Sequence, residues 1–105
     1  MAQWDVYENP SPRAREDLPF VIDVQSDLLS VLRTRLVVPC EPTRATRPGL
    51  PWRMTPVFEI TGKQVRLVPN EAGSLDATVL RRPIASLRGQ SHLIIDALDA
   101  VVSCV

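Results

Sequence analysis

Few side chains in this sequence have the types and spacing to do chemistry. They are His92, the carboxylates Asp23 and Asp27, the cysteines Cys40 and Cys104, and the arginines Arg44, Arg47 and Arg53 with Trp52 beside them. A lone imidazole can serve as acid or base. His92 is the only histidine, so a Ser-His-Asp arrangement or a histidine-based metal site lacks its supporting parts. At a helix start it reads as a surface residue. Asp23 with Asp27 resembles a carboxylate pair, but at a strand end and turn such groups more often bond backbone or face water. Arg44, Arg47 and Arg53 with Trp52 could contact RNA by charge and stacking. Zero net charge favours the other reading, a solvated arginine-rich loop with Trp52 tucked onto the protein. The cysteines do not match metal spacing and read as reduced thiols. The four glycines are scattered and form no phosphate-cradling loop. No catalytic set, metal or cofactor is expected.

The whole chain narrows the classes further. Its 105 residues suit one small domain, 1–105. Lysine plus arginine and aspartate plus glutamate each count 12, giving a formal charge of zero and little support for binding through phosphate neutralisation. A hydrophobic content of 45% is far above that of a disordered charged segment. No apolar run approaches the roughly 18 residues of a membrane span. The start, Met1-Ala2-Gln3-Trp4-Asp5, lacks the basic stretch and apolar block of a signal peptide. A soluble, cytoplasmic domain is expected. Its modest core, burying about 60–70% of the unfolded surface, favours pairing with a second copy.

The elements that must position these residues follow from periodicity. Trp4-Asp5-Val6-Tyr7 alternates as an opening strand, and 8–17 is a solvated, proline-containing loop. In 20–25, Phe20, Ile22 and Val24 share one face, with Asp23 and Gln25 opposite them as in a half-buried strand. Ser26-Asp27 is turn chemistry, and 28–32 is ambiguous between helical turn and extended chain. Residues 34–38 form a strand that Pro39 ends. The proline-rich stretch 40–51 is a long exposed loop. Strands at 56–60 and 63–68 flank Thr61-Gly62, a hairpin connection whose glycine can take positive φ. Residues 69–74 are a turn, and 77–80 and 84–87 are edge strands. From Ser91, a cap, the apolar residues Leu93, Ile94, Ala97, Leu98 and Val101 make one helical stripe.

At Asp23-Val24-Gln25-Ser26-Asp27-Leu28-Leu29 the chain resembles the CcdB family, the toxins of type II plasmid-addiction modules. Three further pieces follow in the family's order: Thr34-Arg35-Leu36-Val37-Val38-Pro39, Pro56-Val57-Phe58-Glu59-Ile60 with Gly62, and Ile84-Ala85-Ser86-Leu87. The resemblance runs over nearly the whole chain from Val6. It implies a mainly β fold, a small SH3-like antiparallel β barrel of the CcdB/Kid toxin type with a C-terminal α-helix, assembled as a homodimer. It also implies a toxin that does no covalent chemistry. Such a toxin binds the DNA gyrase A subunit, traps the cleaved-DNA complex, and is neutralised by the disordered C-terminal segment of a CcdA-like antitoxin. In such modules the antitoxin touches the operator, and the neutral charge here agrees with no direct nucleic-acid contact by the toxin.

The positions that match the family's partner-binding residues are Leu28, Leu29, Asp99, Val102 and Val105. Gyrase-poisoning members end in an aromatic residue, glycine and isoleucine, whereas this chain ends Val101-Val102-Ser103-Cys104-Val105. Only Val105 is similar in kind to the family's ending. Loss of a buried tryptophan anchor ordinarily costs about 2 kcal/mol or more. Two alternatives therefore stay open: an endoribonuclease on the same barrel, with 40–53 as its basic groove, and a non-poisoning binding module.

Overall fold

The computed structural model describes residues 2–45 and 49–103. Its longest strand, β3 (Thr34–Pro42), organises the sheet. One side of β3 pairs with β2 (Phe20–Asp23), and β2 pairs in turn with β1 (Asp5–Glu8). The other side of β3 is shared. β6 (Gly73–Asp76) takes Thr34 to Val37, and β5 (Lys63–Leu67) takes Cys40 to Pro42. β4 (Val57–Ile60) completes a hairpin with β5, and β7 (Ala85–Ser86) adds to β1. All pairs are antiparallel, and the sheet curls into a nearly closed barrel that α1 (Ser91–Ser103) packs against. This is the fold class expected from the sequence.

The main core is formed by one face of the sheet and the helix. Val6, Phe20, Ile22, Val38, Cys40, Phe58, Ile60, Val65 and Leu67 meet Leu87, Ile94 and Ala97 there, with Leu93 and Leu98 packed against them. The expected helical stripe is present, except that Ala100 is buried where Val101 stays partly exposed. The Thr61-Gly62 connection is a tight hairpin with φ of +49° and +83°, as a two-residue turn matched to strand twist requires.

Several local expectations are corrected. Trp4 is not a strand residue but a buried turn residue at φ +76°. Its backbone is held by Trp4 N donating to Asp23 O and Leu87 N donating to Trp4 O. Pro39 does not end β3, which runs on to Pro42. The Pro39 carbonyl accepts from Val68 N, so its nitrogen faces that same side, at the break between β6 and β5 where no ladder bond is lost. The long loop is accordingly shorter than 40–51. Gly73 and Ser74 belong to a strand, and Ala77–Val79 is a 3₁₀ turn capped by Asp76 instead of an edge strand. Ser91 already has helical φ and ψ, following directly on the 3₁₀ turn Arg88–Gln90, where Ser86 Oγ accepts from Arg88 N.

The largest correction concerns β2. Both its faces are buried, because a second apolar cluster of Tyr7, Val21, Val37 and Leu80 covers the side expected to face water. Asp23 and Gln25 therefore point into protein.

Candidate functional site

Between β2 and β3 the chain leaves the barrel, makes the 3₁₀ turn Asp27–Leu29, and returns at Thr34. Polar residues of this stretch frame the turn. Asp23 Oδ2 accepts from Arg35 Nε at 2.8 Å, and Asp23 Oδ1 accepts from the Gln25 amide at 3.0 Å. Arg35 Nη2 also donates to Gln25 O at 3.4 Å. Burial pushes the Asp23 carboxyl up from its ordinary value, against the pull of Arg35 and the Gln25 amide. Gln25 Nε2 donates to Leu29 O and Thr34 O, while its Oε1 accepts from Leu36 N. Ser26 Oγ accepts from Leu28 N as the cap, and Asp27 Oδ1 accepts from Gln3 N.

What this frame carries is apolar and faces water. Leu28 is 90% exposed and Val31 88%, with Leu29 and Leu32 each about half exposed. The short segment between the strands thus resolves as a 3₁₀ turn followed by a bend, not a buried piece of core. Leu28 and Leu29 fall in the stretch that resembles the family, and Val31 and Leu32 extend the apolar surface beyond it. Their signal was present as four large apolar residues within five positions of a turn.

The remaining candidates lie on α1. Asp99 is exposed near its end, and Val102 is 87% exposed. Ser103 Oγ donates to Asp99 O at 2.7 Å, so this side chain bonds back onto its own helix. Besides its core face on the barrel, the helix lies close to the 3₁₀ turns Trp52–Met54, Pro69–Glu71 and Arg88–Gln90. Leu28 and Leu29 are thus carried by the turn, Asp99 and Val102 by the helix. Val105, Cys104 and Arg47 lie outside the described residues.

The residues offered for other chemistry are dispersed. Arg53 grips Asp96 on α1 with bonds of 3.2 and 2.8 Å, which hold the Asp96 carboxyl below its ordinary value. Arg44 lines a groove beside β5 with Arg15 and Lys63. Trp52 is 80% exposed, contrary to the expectation that it tucks onto the barrel. His92 is exposed on the first turn of α1. Arg35 Nη2 lies 2.7 Å from Asp23 and 3.9 Å from Asp27, so the two carboxylates share one counter-charge. Cys40 is deep in the core, where burial pushes its thiol up to about 12. Among the described residues no helix is long and apolar enough to cross a membrane, and no group of three or more His, Cys, Asp or Glu could hold a metal.

Comparison with known families matches residues 3–104 to the family described as CcdB protein. Among curated proteins, none matches this chain. With the barrel, its C-terminal helix and a match over almost the full length, the chain belongs to the CcdB family of toxin–antitoxin toxins.

Proposed function

We propose that this protein is a toxin that works by binding alone: a homodimer that engages the DNA gyrase A subunit, traps the gyrase–DNA cleavage complex, and is neutralised by a CcdA-like antitoxin. The observation that carries this reading is the apolar turn at Leu28 and Leu29, held out of the barrel by a buried polar frame. Fully burying one such leucine against a partner is worth about 1.5–3 kcal/mol. A turn already ordered before contact loses little freedom on binding, so more of that gain reaches the affinity. Asp99, Val102 and Val105 would add a second contact from the helix end.

A second reading has its own observation. Ser103 turns its hydroxyl back to Asp99 O in place of an outward aromatic anchor, which favours a family member that binds its antitoxin without poisoning gyrase. The endoribonuclease reading is weaker, because Arg53 is engaged by Asp96 and is not among the residues that line the groove with Arg44.

The deciding experiment incubates the purified chain with gyrase and supercoiled plasmid and reads linear DNA after denaturing the enzyme. Accumulation of linear product is the expected result. Soluble, dimeric protein that yields none, and that is harmless when overexpressed, establishes the non-poisoning reading instead.

A further inference from the structure

We infer that Gln25 is the positioning residue of the apolar turn, setting the shape in which Leu28 and Leu29 are presented; this rests on the reading that the turn is a partner-binding surface. Gln25 is buried at the base of the excursion 26–33 and bonds to its middle, at Leu29, and to the strand to which it returns. Its Nε2 donates to Leu29 O at 3.2 Å, on the last residue of the turn, and to Thr34 O at 3.0 Å, where β3 begins. Its Oε1 accepts from Leu36 N at 2.9 Å. Both donor hydrogens and the acceptor oxygen of one planar amide are thus committed to backbone, two strand positions and one turn position.

The neighbouring polar residues act more locally. Ser26 caps the first amide of the turn, and Asp27 fastens its start to Gln3. Asp23 and Arg35 hold the backbone of Gln25 itself. Gln25 is the side chain that joins the far end of the turn to β3. Glutamine suits this task by length and by donor count. Glutamate keeps the acceptor for Leu36 N but turns a carboxylate toward two carbonyl oxygens. Methionine keeps the length and loses every bond.

The test compares the full chain with Gln25→Glu and Gln25→Met. It reads amide hydrogen exchange, binding to the isolated gyrase A subunit, and Leu28→Arg as a control on the surface itself. Exchange at Leu29 and Ser30 is measured relative to Phe58 and Val65, whose amides report opening of the barrel. Both variants are expected to speed the turn amides at least tenfold on that relative scale and to weaken gyrase binding at least tenfold. Only Gln25→Met is expected to release the Leu36 amide as well. If Gln25→Met does not fold, Gln25→Glu carries the comparison. Turn amides that exchange no faster than in the parent overturn the inference. So does a loosened turn that binds gyrase unchanged while Leu28→Arg does not bind. If Leu28→Arg binds like the parent, the surface reading falls, and the exchange data still decide whether Gln25 holds the turn.

Discussion

Arg35 places Nε and Nη2 at 2.8 and 2.7 Å from a single oxygen of Asp23, and both side chains are almost fully withdrawn from solvent. The two residues are twelve apart in sequence, one at the end of β2 and one near the start of β3. Between them hangs the apolar turn. A buried pair of this kind is a weak source of net stability, because desolvation offsets most of the attraction. Its consequence here is geometric, since it fixes the two strand ends from which the turn projects.

Removing one partner leaves the other charge buried alone. Asp23→Ala is expected to cost about 3–5 kcal/mol in urea unfolding, and Arg35→Met a similar amount. Replacing both with apolar residues is expected to recover most of that loss. Costs that simply add in the double variant would show that the two side chains are not coupled.

Tyr7 is nearly inaccessible, and among the described residues its hydroxyl has no hydrogen-bond partner. Tyr7→Phe is therefore expected to raise stability by about 1 kcal/mol at neutral pH. Burial, with Asp5 and Asp23 adding to it, pushes the phenol from 10.0 up to about 12. The folded state thus holds this proton more tightly than the unfolded chain does. Stability from Tyr7 is present below pH 10 and is lost as pH rises toward 12. Parallel urea titrations should show a steeper fall for the parent than for Tyr7→Phe across that window.

Leu28 is almost free of the fold, so Leu28→Arg should leave thermal stability nearly unchanged, within about 0.5 kcal/mol. On the proposed function it abolishes growth arrest and gyrase-dependent cleavage, as does Val105→Asp. Soluble forms of both variants that still arrest growth would sink the assignment of these positions.

Cys40 tests the core. With its thiol pushed up to about 12 and no exposed surface, it should resist iodoacetamide at pH 8 in a Cys104→Ser background. Labelling is expected only at the rate of unfolding and to become rapid in denaturant. Fast modification of the native protein would contradict the buried position between Phe20 and Leu67.

The features legible in the residues alone were the local ones. Alternation at 57–60 and 63–67, the Thr61-Gly62 turn, and the spacing of Leu93, Ile94, Ala97 and Leu98 each express a period carried within a few residues. The family motif drew attention to Leu28 and Leu29. What lay beyond reach depended on partners distant in sequence. Gly73 and Ser74 have little strand propensity of their own and become β6 because the edge of β3 offers them a ladder. Pro39 is tolerated in mid-strand because β5 and β6 divide that edge on either side of it. Trp4 adopts a left-handed turn while its side chain is buried in the core and its backbone is bonded to Asp23 and Leu87. Asp23 and Gln25 alternate like solvent-facing residues, and only the second apolar cluster with Arg35 turns their face of β2 into an interior. Local sequence thus determined the β4–β5 hairpin and the helix, whose periods are carried within a few residues. Tertiary packing decided which polar groups are buried, and so which leucines are held out in water.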